Sequence, residues 1–386
     1  MKETLKSNTI STGLAMFSMF FGAGNVVFPL TLGVLTKEHS FFAVLGFILT
    51  AVAVPFTGLI AMILFEGNYK AFLGRLGKIP SFFLALFIMC LIGPFGAIPR
   101  CIALSYSTIT MFTPSISLEV FSIISCVVIF LFTFKENSVL DILGYFLTPF
   151  LLISLGIITL VGLFSYSSMH IGGIEREFSF ILGLKEGYHT MDLLAAFFFS
   201  SIVINCLQKE WNPQNKNDCK NIVIMALKAS VIGAFLLAII YIGFSYIAAL
   251  HSDELQGITT DLILAELSLH LLGTYGGIIA SLAVALACLT TAIALASAFS
   301  HFLEIDIFQD KVNYTFCLLI TLFISFLIST LNFNGIVNFL SPILSLCYPS
   351  LITLSVLNLA YKLFDFKPVK TPVFLVFIFT LFFHFR

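Results

Sequence analysis

Apolar runs long enough to cross a bilayer recur along the chain, and short segments with Lys, Asp or Glu separate them. A membrane-spanning helix needs about 20 apolar residues. We therefore expect an all-α polytopic membrane protein with about 11 transmembrane helices. The predicted spans cover about 9–33, 41–65, 81–110, 118–134, 141–165, 191–207, 221–250, 275–302, two spans within 312–361 that turn at 332–335, and a shorter span from about 372.

The composition agrees with this class. Hydrophobic residues make up 59% of the chain and charged residues 10%, whereas soluble domains carry about 25% charged residues. The net charge is −1 and basic runs are absent from the sequence, which argues against nucleic acid as a partner. Most of the eight cysteines lie in apolar runs without metal-ligand spacing. We interpret them as buried hydrophobic side chains and expect no disulfide framework.

The distribution of Lys and Arg predicts the orientation of the spans, because these residues are enriched in cytoplasmic loops. With the N-terminus in the cytoplasm, most of the 19 Lys and Arg residues lie at cytoplasmic ends of spans. Arg100 lies within a span. The exceptions on the outer side are Lys37, Arg176, Lys185 and Arg386.

A polar stretch at 166–190 divides the spans into two sets of five. We predict a first five-helix unit at 1–165, an outer connection at 166–190, a second unit at 191–361 and an additional C-terminal helix at 362–386. Because the first unit holds an odd number of spans, the second would be inverted relative to it, as in many secondary transporters. The sixth span should then be interrupted like the first, and Phe197–Ser201 is the predicted interruption.

The first span contains Gly22, Gly24 and Asn25 near its middle, inside an uncharged run. Glycine costs about 1 kcal/mol relative to alanine in a helix interior. A break at membrane depth is tolerated only where it is buried in protein or lines a watery cavity. The free carbonyls before the break could hold a cation, and the free amides after it could hold a carboxylate. The alternative is a kink at a packing seam of small residues.

The eighth span carries Ala287, Thr290 and Thr291, which share one helix face. Hydroxyl and carbonyl oxygens suit a hard cation such as Na⁺. The alternative is that each threonine hydroxyl bonds the carbonyl one turn earlier.

Charged residues near the spans have competing interpretations. Gly93, Pro94 and Pro99 predict a bend in the third span, and Arg100 ends this bent segment. Arg100 could satisfy freed carbonyls, contact substrate or extend to an interface. Glu66 and Asp192 lie near span ends, which favours solvated or helix-capping carboxylates. Because we place no acidic residue close to Gly22 or the threonines, Na⁺ is favoured over H⁺ as coupling ion. The sequence shows no catalytic set of His, Ser and carboxylates, so we expect no enzyme and no cofactor.

Four segments together resemble the branched-chain amino acid:cation symporters, the LIVCS family. In chain order they are Phe21-Gly-Ala-Gly-Asn-Val-Val-Phe-Pro29, Gly93-Pro-Phe-Gly-Ala-Ile-Pro-Arg100, Glu186-Gly-Tyr-His-Thr-Met-Asp192 and Ala287-Cys-Leu-Thr-Thr291. The resemblance implies a bacterial cytoplasmic (inner) membrane protein with a five-plus-five inverted-repeat bundle like that of the leucine transporter. It also implies import of leucine, isoleucine or valine coupled to Na⁺. The family pattern has twelve spans, one more than predicted here.

The resemblance also implies roles for particular residues. Carbonyls of Ser18, Phe21 and Ala287 would hold Na⁺ together with the hydroxyls of Thr290 and Thr291. The substrate's carboxylate would meet the turn at Gly22, Ala23, Gly24 and Asn25, and its ammonium would meet carbonyls near Phe199, Ser200 and Ser201. Independently of the resemblance, Phe20, Phe21 and Phe199 flank the two predicted breaks and could form the wall of a pocket for an apolar side chain.

Other functions remain open at this point. A proton-coupled transporter, or one for another apolar amino acid such as methionine, belongs to the same class. A membrane acyltransferase would require an intramembrane His, Asp or Ser constellation. A pore would show linear rather than saturable uptake.

Overall fold

The computed structural model describes residues 9–134, 139–165, 172–211 and 216–384. Regular structure in these ranges is entirely helical, which confirms the predicted all-α class. Helices satisfy their own backbone polar groups and therefore suit lipid. The α-helices are α1 (Thr9–Phe20), α2 (Ala23–Thr36), α3 (Ser40–Ile48), α4 (Val54–Leu64), α5 (Tyr69–Gly74), α6 (Lys78–Ile92), α7 (Ala97–Thr110), α8 (Leu118–Phe134), α9 (Val139–Phe164), α10 (Arg176–His189), α11 (Asp192–Trp211), α12 (Lys216–Leu250), α13 (Ile263–Phe302), α14 (Tyr314–Ser329), α15 (Asn332–Phe364) and α16 (Lys370–His384).

Several helices are long and apolar enough to cross a membrane. Five described segments meet this condition, and a bent pair formed by α10 and α11 makes a sixth. Further apolar helices of 10–17 residues accompany them. The chain is thus multi-pass, whereas the count of about eleven crossings and the division into two inverted units stay predictions. The five long segments are Ala23–Leu64, Lys78–Thr110, Lys220–Leu250, Ile263–Ile307 and Asn332–Phe364.

The first crossing is broken where the glycines predict. Helix α1 ends at Phe20 and α2 begins at Ala23, with Gly22 in an extended conformation (φ −117°, ψ −164°). The bend predicted at Gly93 and Pro94 in the third span is also present, because α6 ends at Ile92 and α7 starts at Ala97. Both predictions are confirmed, and both breaks coincide with glycines that lower helix stability.

The second broken crossing differs from the prediction. Phe197–Ser201 is continuous helix within α11, and the interruption lies at Thr190–Met191, where α10 and α11 meet at 41°. Met191 has a φ of 63°, a left-handed conformation that a non-glycine residue seldom adopts. The hydroxyl of Ser200 donates to the Phe197 carbonyl within the helix. The predicted break at 197–201 is therefore wrong.

Part of the segment predicted as a polar connection forms α10, which packs closely on α3. A Cβ atom on Gly183 would overlap the Ala43 carbonyl, and one on Gly187 would overlap the Thr50 hydroxyl. A Cβ on Gly46 of α3 would likewise overlap the Phe180 carbonyl. Small residues at such a seam let two backbones approach. Packing against protein explains why α10 is helical although it carries several charged residues.

Candidate functional site

The breaks in the two discontinuous crossings and the start of α7 border a cavity. Its volume is about 40 Å³, measured as the space open to the centre of a water molecule. Eight of the predicted site residues line it. They are Phe20, Gly22, Ala23, Gly24, Asn25, Arg100, Phe199 and Thr291.

The other predicted site residues are not part of the cavity wall. Ser18 lies in α1 and Phe21 lies in the break, where its ring stacks on Phe17 with centroids 5.2 Å apart. Ser201 lies on α11 and donates from its hydroxyl to the Gly67 carbonyl. The remaining residues of this group are Ala287, Thr290 and Ser200.

The broken turn redirects the amides that a continuous helix would use. The Gly22 amide would bond the Ser18 carbonyl, but it donates to Oδ1 of Asn25 at 3.1 Å. The Asn25 amide would bond the Phe21 carbonyl, but it donates to the Gly22 carbonyl at 3.1 Å. Thus both carbonyls predicted as cation ligands lose their helical donors.

The threonine pair adopts the back-bonded geometry that was the alternative interpretation. The hydroxyls of Thr290 and Thr291 donate to the Ala287 carbonyl at 2.9 and 3.0 Å. A hydroxyl that donates its proton keeps lone pairs for another ligand. Thr291 also borders the broken turn, since a Cβ atom on Gly22 would lie 3.9 Å from its hydroxyl oxygen. The binding of a cation between the broken turn and Thr291 stays a prediction.

Asp192 is a cavity residue that the sequence analysis assigned elsewhere. It is the first residue of α11, is 2% exposed and lines the cavity with Gly22. Its Oδ2 accepts a hydrogen bond from the Asn25 side chain at 2.7 Å and from the Tyr241 hydroxyl at 3.3 Å. The side chains of Asn25 and Tyr241 also bond each other. The expectation of no acidic residue near Gly22 is therefore wrong.

Arg100 supplies a positive charge to the same cavity. It lies in the first turn of α7 and is 3% exposed, so it does not extend to an interface. One terminal nitrogen donates to the His189 carbonyl at 2.6 Å, at the last turn of α10. In the described part of the chain, Nε of Arg100 has no hydrogen-bond partner. The guanidinium group therefore retains donors for another acceptor.

The two buried charges share the cavity without pairing. Among the described residues, no ion pair joins Arg100 to Asp192, since their hydrogen bonds go to other groups. Isolated buried charges cost several kcal/mol each. An unpaired cation and anion in one cavity would thus be stabilised by a ligand that carries both opposite charges.

Aromatic side chains cover another part of the cavity. The ring of Phe20 meets Phe199 edge to face, with centroids 5.5 Å apart. Phe20 also contacts Phe56 at 5.2 Å. Ile92 and Leu295 add aliphatic surface. The predicted apolar wall at Phe20 and Phe199 is present, and it suits a hydrocarbon side chain.

Comparisons with known proteins identify relatives over nearly the full chain. The model of a family described as branched-chain amino acid transport protein matches residues 5–385. The branched-chain amino acid permease BrnQ of Bacillus subtilis (strain 168) is 30% identical over 380 residues, which cover 95% of this chain and 84% of the relative. A Staphylococcus aureus (strain USA300) protein described as a candidate branched-chain amino acid carrier is 33% identical over 402 residues, which cover 98% and 88%.

A solved structure shares the architecture. The inward facing conformation of Mhp1 has a TM-score of 0.62 at 15% identity, and the match covers 92% of this chain and 77% of that chain. The similarity at this level of identity concerns the fold alone, which is LeuT-like.

Proposed function

Since the chain belongs to the branched-chain amino acid transport protein family, we propose that it imports leucine, isoleucine and valine in symport with Na⁺. The family consists of transporters and not enzymes. The proposed location is the cytoplasmic (inner) membrane of a bacterium, with the N-terminus in the cytoplasm, about eleven crossings and five-plus-five inverted repeats around the cavity. One bundle of helices would move against a scaffold around the midplane site to give alternating access.

One observation carries the proposal. Arg100 and Asp192 line the same cavity beside an aromatic wall, and they do not form an ion pair with each other. An amino acid zwitterion with an apolar side chain complements all three features. Its carboxylate would meet the guanidinium and the first turn of α2 at Ala23 and Gly24. Its ammonium would meet Asp192. The carboxylate of Asp192 thereby takes the role that the resemblance gave to carbonyls near Phe199, Ser200 and Ser201.

The proposed Na⁺ site joins the broken turn to α13. Its ligands would be the carbonyls of Ser18, Phe21 and Ala287 and the hydroxyls of Thr290 and Thr291. The redirected amides of Gly22 and Asn25 support this set, because they leave the first two carbonyls available. An ion there would order the turn that meets the substrate. Reciprocal coupling between ion and substrate is typically about 1–3 kcal/mol.

A second candidate, proton coupling, gains support from Asp192. A buried carboxylate at the midplane of a transporter is a common carrier of protons. The substrate ammonium and a proton would then bind the same Asp192 carboxylate, either in competition or at different steps of the transport cycle.

Uptake of radiolabelled leucine into proteoliposomes separates these candidates. Under the Na⁺ proposal, replacing external Na⁺ by choline at equal pH on both sides abolishes accumulation. If uptake persists in choline and follows an imposed pH gradient, the coupling ion is H⁺. If leucine does not compete with isoleucine and valine for saturable uptake under either gradient, the proposed substrate class is wrong.

A further inference from the structure

A cluster of two histidines and one glutamate lies away from the cavity, between the end of α12 and the first part of α13. His251 and Glu254 belong to the turn after α12, and His270 lies in α13. Oε2 of Glu254 is 2.9 Å from Nδ1 of His251 and 3.0 Å from Nε2 of His270. The three ligand atoms all lie within 4.8 Å of one another.

Both ring nitrogens of His251 face oxygen atoms of other residues. Its Nε2 faces the Gly162 carbonyl at 3.3 Å, and its Nδ1 faces the Glu254 carboxylate. A neutral imidazole has one N–H group and can satisfy only one of these acceptors. When that N–H group is on Nε2, the lone pair of Nδ1 faces the Glu254 carboxylate and can coordinate a metal ion together with it. A second imidazole nitrogen, from His270, is directed at the same carboxylate oxygen.

We propose that His251, Glu254 and His270 bind a divalent transition metal such as Zn²⁺. Zinc bonds to histidine nitrogen and carboxylate oxygen are about 2.0–2.2 Å, so ligand atoms of a tetrahedral site lie about 3.3 Å apart. The observed separations of 2.9 and 3.0 Å need only a small expansion. The Gly162 carbonyl would orient His251 by accepting from Nε2–H, which leaves Nδ1 free to coordinate.

The exposure of the three side chains suits a site that takes metal from solution. His251 is 3% exposed and fixed, whereas Glu254 is 39% and His270 54% exposed. Metal can therefore enter from the exposed side, and a water molecule can complete a four-coordinate shell there.

A metal at this place would join three elements of the fold. His270 lies in an arm of α13 that ends at Gly273, where a φ of 70° changes the helix direction. His251 follows α12, and Gly162 belongs to α9. Coordination would thus tie the arm to α12 and, through the Gly162 carbonyl, to α9. We expect bound Zn²⁺ to raise the thermal stability of the protein and to slow transport.

Titration calorimetry of the purified full-length protein with ZnCl₂ tests the site, provided that the affinity tag contains no histidine. The wild type should bind one Zn²⁺ per chain. His270→Ala and Glu254→Gln change exposed side chains and should each weaken this binding about 10-fold or more, since each removes or neutralises a ligand. His301→Ala is the matched control, because His301 also lies 3.4 Å from a glutamate, Glu304, but belongs to no three-ligand cluster among the described residues.

Two results would overturn the proposal. The first is a wild-type protein that binds no stoichiometric Zn²⁺. The second is binding that His270→Ala and Glu254→Gln leave unchanged, which would place the metal elsewhere. Because calorimetry measures no transport, neither result depends on the proposed substrate or coupling ion.

Discussion

Replacing Asp192 by Asn tests the proposed ammonium contact with a minimal change of shape. The variant keeps a side-chain oxygen that can accept from Tyr241, but it removes the negative charge. A hydrogen bond that involves a charged group contributes about 1.5–3 kcal/mol. Its loss should raise the KM for leucine about 10- to 150-fold.

Leucine uptake into proteoliposomes measures this change, and an analogue panel makes it specific. 4-Methyl-2-oxopentanoate keeps the carboxylate and the hydrocarbon chain of leucine but lacks the ammonium group. It would leave Asp192 unpaired in the wild type and should compete poorly. In Asp192→Asn the preference for leucine over this keto acid should fall by a similar factor, because the neutral amide no longer favours a cation.

An exposed aspartate provides the control for this experiment. Asp310 is exposed in the turn after α13, so Asp310→Asn should leave KM unchanged. Neutralising Asp192 also leaves Arg100 without an opposite charge in the cavity, which can lower stability. Each variant must therefore give a monodisperse peak in size-exclusion chromatography before it is assayed. A folded Asp192→Asn protein with wild-type KM and wild-type rejection of the keto acid would refute the ammonium contact.

Two further pairs of variants test the proposed Na⁺ site and the close contact between α3 and α10. Thr291→Ala should raise the Na⁺ concentration for half-maximal uptake about 10-fold, because the ion loses one ligand. Thr291→Ser keeps the hydroxyl and should stay near wild type. Equal Na⁺ dependence of the two variants would contradict the ion site. Gly183→Ala should destabilise the protein by about 1–3 kcal/mol and lower its Tm, because the new methyl group overlaps the Ala43 carbonyl. Gly156→Ala in α9 meets nothing within 4 Å, so it should leave the Tm unchanged or raise it, and equal Tm changes in both would show that the seam is loose.

The sequence predicted the first break well because its signal is local. Gly22, Gly24 and Asn25 lie together in an uncharged run, and no other segment is needed to interpret them. The bend before Arg100 was predicted for the same reason, from the adjacent Gly93 and Pro94. Predictions of this kind depend on helix propensity and on the high cost of exposed backbone in lipid.

The second break was missed because its signal depends on distant partners. Helix α10 looks like a loop in sequence, and its helical state depends on packing against α3. Asp192 acquires its place from Asn25 and Tyr241, which are 167 and 49 residues away along the chain. Such contacts leave no periodic pattern. The motif that ends at Asp192 marked the region through family resemblance but did not give its geometry.

The seam between α3 and α10 has a consequence for how the molecule can move. Gly46, Gly183 and Gly187 leave no space for even one methyl group between the two backbones. The two helices therefore cannot slide past each other without steric overlap, and we expect them to move together as one rigid body. We therefore expect bending during the transport cycle at the ends of these helices, and one such end is the Thr190–Met191 turn directly before Asp192.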